Sequence, residues 1–456
     1  MPDPDAENLV AAFIEAACVP LDAHAAGALV EAEAILAFHP EVATANIHTA
    51  AIVGDDAAVR RFIDDDPESA TAKGGPRDWD ALTHLCFSRY LRLKADRSEA
   101  FVRAARALLD AGASANSGWF EPGHLPAPTW EGVLYGAAGV AHHAHLTRLL
   151  LARGADPNDD ETVYHTPESY DNGALEALVE TGRLTVESLT TILLRKLDWH
   201  DHDAIKWLLA QGVDPKLPSR WGRTALHHAI LRDNDLSIVD LLLDAGADPR
   251  RPFNGRTPVA MAARRGRGDV LASLRRRGVP LELDGCDWLI GACAEGDEER
   301  ARDIAKRQPA VLRELLAEGG TLLAEFAATG NAKGARLLLE LGVSVRAPYP
   351  SGNPYYGIPQ GSDALHVAAW RGYPDVVRLL VERGASPDRP DANRDTPLAL
   401  AVRACVASFW THRRSPESVG VLLGAGASVH GIPYPSGYED VDRLLEPHRE
   451  GPVKHA

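Results

Sequence analysis

The sequence predicts an all-α repeat solenoid, and three observations carry that prediction. One short phrase that ends helices returns along the chain. A second phrase that starts them precedes several of its copies. The composition also suits small helical cores: 456 residues are 45% hydrophobic but only 6% aromatic. Ala and Leu dominate that apolar share, which favours short, closely packed helices over a large sheet.

The terminating phrase is fullest in Leu241-Leu242-Leu243-Asp244-Ala245-Gly246-Ala247-Asp248-Pro249, and variants of it end at Gly112, Gly154, Gly182, Gly212, Gly278, Gly342, Gly384 and Gly426. Leucines in the last turns of a helix reach the neighbouring core, and glycine sits where the chain must take positive φ to leave the helix. The starting phrase reads Thr224-Ala225-Leu226-His227, Thr257-Pro258-Val259-Ala260, Asp363-Ala364-Leu365-His366 and Thr396-Pro397-Leu398-Ala399. Thr or Asp caps exposed backbone N–H groups, and Pro is tolerated at the first helical position. The unit is therefore helix, turn, helix, loop.

A starter, a Leu-rich second helix and a Gly-Ala exit on a period near 33 residues resemble the ankyrin repeat. The match is closest over residues 219–251, 253–280, 361–388 and 391–429. The resemblance implies stacked helix pairs with turns projecting from one edge, a concave face formed by first helices, and binding to other proteins. It also implies structural hydrogen bonding for His227 and His366; in Asp80-Ala81-Leu82-Thr83-His84 the histidine is moved one place.

The glycine marks are about 28 to about 42 residues apart, with one gap roughly double. That gap hides a degenerate unit, with residues 289–294 as its first helix, residues 301–305 as its second and Pro309 as its exit. Residues 47–52 and 59–63 read as an early unit. The expected organisation is an N-terminal helical cap over 1–46, an array of roughly eleven helix pairs over 47–429, and a C-terminal cap and tail over 430–456.

The formal charge of −16 opposes adhesion to phosphate backbones. Nucleic acid is therefore not an expected partner, and Arg264, Arg265, Arg267 and the run at 275–277 read as a solvated helix face. No apolar run approaches a membrane span, so membrane insertion is not expected and a cytoplasmic location is. Cys18, Cys86, Cys286, Cys293 and Cys405 lack paired spacing and read as reduced core residues.

Four stretches exceed the repeat. Residues 89–98 read as an extension of the helix holding Leu82, Leu85 and Tyr90. Residues 117–130 carry Trp119, Phe120, His124 and Trp130 among glycines and prolines, suiting either a binding loop or a seal over neighbouring repeats. Residues 347–357 carry Tyr349, Tyr355 and Tyr356, and their Pro-Tyr-Pro-Ser-Gly core returns at 433–437; two similar exits suit either projecting fingers or turns packed over helix ends. Residues 403–416, with Phe409, Trp410, His412, Arg413 and Arg414, read as a lengthened first helix.

No phosphate loop, zinc helix, paired cysteine knuckle or nucleophile elbow occurs. The densest metal-ligating run, Asp198-Trp199-His200-Asp201-His202-Asp203, with His142, His143 and His145 in an earlier pair, reads as a solvated turn beside the alternative of a metal site. Aromatics gather in the middle of the chain, with Tyr135, Tyr164, His165, Tyr170, Trp199, Trp207 and Trp221 following Trp119 and Trp130; Trp207 reads as core. The expectation is a monomeric, noncatalytic scaffold without cofactor or metal. Its unidentified protein partner would be met by Trp119, Phe120, Trp130, Tyr164, His165, Tyr170, Trp199, Trp221, Tyr349, Tyr355 and Tyr356. The alternative is a small-ligand binder or enzyme with its pocket in these middle repeats.

Overall fold

The computed structural model describes residues 4–21, 23–125, 127–408 and 414–449. The chain forms two compact units, Met1–Ala225 and Leu226–Ala456. Both are built from short helices in pairs, as an all-α repeat solenoid requires.

The punctuation explains the helix ends. All nine glycines of the terminating phrase have positive φ, from 64° at Gly182 to 107° at Gly342. After most of them an alanine or valine N–H reaches back to a leucine carbonyl, as in Ala113 to Leu108 and Ala247 to Leu242, satisfying acceptors that the helix leaves open. At the other end, Thr257 accepts from Ala260 N–H and Thr396 from Ala399 N–H. Asp363 and His366 form a reciprocal capping box.

In the first unit, helices Pro4–Ala17 and Val30–Phe38 pack on each other. First helices then follow in order, with Ile47–Val53 against Ala81–Cys86, and Asp160–His165 against Val186–Asp198. Second helices form a parallel row, in which Asp56–Asp65 meets Ser98–Asp110, which meets Ala144–Ala152, which meets Gly173–Glu180. Residues 89–98 do not extend helix Ala81–Cys86. Ser88 accepts from Tyr90 N–H and starts a separate helix, Arg89–Leu93, which buries Tyr90 and Leu91.

Residues 117–132 add the one two-stranded sheet among the described residues, β1 (Gly118–Glu121) and β2 (Thr129–Gly132), paired antiparallel. Glycine is required at 118, because a Cβ there would lie 2.1 Å from the Glu131 carbonyl oxygen.

In the second unit the degenerate repeat has one helix more than expected. Helices Gly285–Glu295 and Glu298–Arg307 form the pair, but Pro309 opens a further helix, Pro309–Ala317, instead of marking an exit. Its fixed φ suits a first helical position, so the same residue can start as well as stop a helix. Helix Gly285–Glu295 packs on Ala332–Glu340, while Pro258–Arg264 touches Gly319–Ala328 directly.

The closing helix Glu439–Arg449 buries Val441 and Leu445 against Glu417–Gly424. Helix Pro397–Val406 runs into the last interruption as far as Val406, which lengthens the first helix as expected but not through to Pro416. Phe409, Trp410, His412 and Arg413 lie outside the described residues. All five cysteines are buried and free, and no helix among the described residues is long and apolar enough to cross a membrane.

Candidate functional site

The hairpin sorts its residues by strand alternation. Phe120 lies opposite Trp130 and Trp119 opposite Glu131, so each pair shares a face. The first pair points outward, with Phe120 57% and Trp130 49% exposed. The second points inward. Trp119, 9% exposed, stacks on Trp79 at 5.2 Å and meets Phe87 and His24 edge-on at 6.1 and 5.7 Å. Trp119 is therefore core, a correction to its expected place on a binding surface.

Beneath that inward face lies a cluster of carboxylates and imidazoles. Glu131 is wholly buried, and His24 lies 3.4 Å from Glu121 and 4.0 Å from Glu131. His124 lies 3.7 Å from Glu161, and His165 bridges Glu161 at 3.3 Å and Glu168 at 2.9 Å. Burial, together with the neighbouring Glu161 and Glu121, pushes the Glu131 carboxyl up to about 8. Burial opposes charge on His165 too, but its hydrogen bonds to Glu161 and Glu168 prevail and raise it to about 9. Asp159, raised by burial to about 6, caps helix Asp160–His165 and so fixes Glu161 and His165.

A second group of aromatics sits alongside. Tyr164 meets Trp221 edge-on at 6.3 Å and His165 at 5.0 Å, with the Arg195 guanidinium 4.1 Å above the Tyr164 ring. Trp221, which is exposed, carries Arg220 over its ring at 4.9 Å. Tyr170, 68% exposed, meets Trp199 at 5.3 Å and donates to its carbonyl at 2.9 Å. Trp199 and Trp207 are half-buried. The structure thus brings Tyr164, His165 and Trp221 together and makes a separate pair of Tyr170 and Trp199.

Against known families, the model described as "Ankyrin repeats (3 copies)" matches residues 196–284 and 282–391. The chain is an ankyrin-repeat protein. It is 28% identical over 178 residues to Protein glp-1 of Caenorhabditis elegans, covering 34% of this chain and 14% of that protein. It is 29% identical over 216 residues to Mitochondrial disaggregase of Bos taurus, covering 45% and 26%. With the B-cell lymphoma 3 protein homolog of Mus musculus the identity is 26% over 204 residues, covering 44% and 37%. The aligned stretches span well under half of each relative. The crystal structure of the ankyrin repeat domain of Bcl-3 aligns at 22% identity over 51% of this chain and 97% of that one, with a TM-score of 0.23.

The two tyrosine-rich exits of this ankyrin-repeat protein differ. Tyr349 and Tyr356 are buried. Tyr349 donates to Glu325 at 2.5 Å and the Arg371 guanidinium lies 4.2 Å over Tyr356. These rings pack over helix ends, the second of the two readings of this stretch, which corrects the expectation that Tyr349 and Tyr356 meet a partner. Tyr355 is exposed under Arg232, and Tyr434 in the second copy is exposed too. Identical phrases therefore do not exit alike: Tyr349 is received by the half-buried Glu325, whereas Tyr434 lies exposed under Arg449 at 4.5 Å.

The run at 198–203 is spent on folding. Asp201 caps helix His202–Ala210 and pairs with Lys196 at 2.9 Å, Asp198 pairs with Arg195, and His202 meets Asp203 at 3.1 Å. His143 caps helix Ala144–Ala152, and His145 meets Glu99 at 3.3 Å. Only Trp199, His200 and Asp201 of the run form a turn between two helices, and the side chains of Asp198 and Asp201 are buried in ion pairs, so the run is not the solvated turn that the sequence suggested. The metal-ligating geometry lies instead at the hairpin.

Sequence reasoning missed Glu131 by treating residues 117–130 as a loop. The available signal was alternation, Trp119-Phe120-Glu121 against Trp130-Glu131, bounded by Gly118 and Gly132. It also missed a polar cavity of about 360 Å³ at the inter-helix turns of the second unit, lined by Asp233, Arg267, Asp269, Glu295, Asn331 and Lys333 among others.

Proposed function

We propose that this ankyrin-repeat protein is a noncatalytic, monomeric, cytoplasmic scaffold that holds a protein partner through its projecting hairpin and its first-helix face. The observation that carries the reading is the outward pair Phe120 and Trp130, two large rings held side by side in water on a rigid strand pair. Exposed aromatics on a stiff support lose little entropy on binding and bury much area, so they make good anchors. Trp221 and Tyr170 are further exposed rings of the same unit, with Tyr164, His165 and Trp199 beside them, and Tyr355 marks a second contact. The formal charge of −16 favours a partner with basic groups around an apolar centre.

The test is affinity capture from the native host with wild type and the Phe120→Ala/Trp130→Ala variant, after circular dichroism shows both folded. A protein retained by wild type and lost by the variant supports the reading. Equal retention overturns the hairpin as the recognition surface.

A small-ligand reading draws on the cavity in the second unit, where the buried Arg267 Nη1 has no hydrogen-bond partner. Such an atom suits an anionic group. A native mass spectrum of the purified protein with no retained small molecule, together with no thermal shift from carboxylate or phosphate metabolites, would remove it.

A further inference from the structure

Both carboxylate oxygens of Glu131 are buried without a hydrogen-bond partner, and so is Oε2 of Glu121. Glu131 itself has no exposed surface. Burying a carboxylate that meets neither donor nor cation is costly, and buried polar groups in folded proteins are nearly always satisfied. Glu121, Glu131 and Glu161 share one pocket, and the crowding is relieved by a proton held among them or by a bound cation.

The two histidines are oriented to help. His24 Nε2 lies 2.9 Å from the Leu21 carbonyl and 3.4 Å from Glu121 Oε2, both acceptors, so Nε2 bears the proton. His24 Nδ1 is then the basic nitrogen, facing the Tyr135 hydroxyl at 2.8 Å and Glu131 at 4.0 Å. His124 is held the same way. Its Nδ1 donates to the Ala127 carbonyl at 3.1 Å, which leaves Nε2 facing Glu161 at 3.7 Å. A backbone carbonyl on the far nitrogen is how proteins fix the tautomer of a metal-ligating imidazole.

We propose that this pocket binds a divalent transition-metal ion, with Glu131 shared between two ligand sets, His24–Glu121–Glu131 and His124–Glu131–Glu161. Within each set the ligand atoms lie within 4.8 Å of one another. Mixed imidazole and carboxylate donors suit Zn²⁺, Mn²⁺ or Fe²⁺ better than Ca²⁺ or Mg²⁺, which take oxygen ligands. Glu161 already has His165 as a partner at 3.3 Å, so the first ion sits on the His24–Glu121–Glu131 side. It would tie the segment around His24 to the hairpin and, through the shared Glu131, to helix Asp160–His165. The proposal does not depend on the protein-binding reading.

The experiment uses the full chain, stripped with chelator and titrated with Zn²⁺ by calorimetry, with thermal unfolding and Co²⁺ visible absorption as second readouts. Wild type should bind Zn²⁺, melt higher with it, and give the Co²⁺ bands of a nitrogen- and oxygen-ligated ion. Glu131→Gln should fold, because a neutral amide removes the crowding of carboxylates, and should lose affinity by about 10- to 100-fold or more. His202→Gln, at the outlying turn, should bind as wild type does. Should Glu131→Gln fail to fold, His24→Gln gives the same information on the first ion. Wild type that takes up neither Zn²⁺ nor Co²⁺, or affinity unchanged in Glu131→Gln or, where that variant does not fold, in His24→Gln, would overturn the proposal.

Discussion

Arg371 donates to Asp233 at 2.9 Å although 138 residues separate them in sequence. Arg265 donates to the same carboxylate at 2.6 Å and pairs with Glu325 at 2.7 Å, and these side chains are nearly all buried. Burial alone would raise the Asp233 carboxyl, but the two guanidiniums hold it below the usual carboxylate range. Breaking such a group by removing one partner costs about 3–5 kcal/mol, because a charge is left buried. Arg371→Leu should therefore lower the urea midpoint of unfolding strongly. Arg378→Ala, which removes a surface pair with Asp375 and Glu417, should leave it unchanged.

The two faces of the hairpin should respond in opposite ways. Trp119→Ala empties a site among Trp79, Phe87 and His24 and should cost about 3–5 kcal/mol. Phe120→Ala, its exposed neighbour, should change stability by no more than about 0.5 kcal/mol. Gly118→Ala should behave like the tryptophan variant, because its Cβ would collide with the Glu131 carbonyl. Chemical denaturation of the three variants separates them.

His84 should shape the acid limb of stability. Burial, with the His48 ring tilted against it 5.0 Å away and Arg77 nearby, lowers it to about 3. A folded-state value below the unfolded one means that its contribution is fully present above about pH 6.5 and is lost as pH falls toward 3. Replacement by Gln, which can still donate to the Asp80 carbonyl, should flatten stability between these limits. Thermal melts across that range would show no difference in slope if His84 titrated normally.

The thiols should resist alkylation in the native state. Burial raises Cys18 and Cys293 to about 12, and Cys86 rises for the same reason. The thiolate is the reactive form, so iodoacetamide should label these three only on unfolding. Peptide mapping of native and denatured samples checks this, and rapid native labelling of Cys18 would contradict the packing of helix Pro4–Ala17.

Helix punctuation was legible because it is local. Gly246 and its eight counterparts, Thr257, Asp363 and Thr396 act on backbone groups within a few residues, so their effect survives any tertiary context. Pro309 was misread for the complementary reason: its fixed φ fits both ends of a helix, and only packing decides. Alternation in the hairpin could have given the face of Glu131, but neither its partners nor those of Tyr349 were legible. Each is placed by partners far away, His24 and Glu161 for the first, Glu325 for the second, and composition says nothing about who will meet whom. Trp119 and Phe120 are adjacent in sequence and alike in chemistry, yet the strand sends one inward and the other out.

Repeat arrays ordinarily peel apart one helix pair at a time, because each pair holds only its neighbours. The contact from Asp233 to Arg371 skips over intervening pairs of the second unit, like a bolt passed through several plates. Under tension applied at Leu226 and Arg449, the segments between those two residues would be shielded from load until the bolt broke, and would then release together. A force trace of this unit would show one large extension step where a simple array gives a staircase.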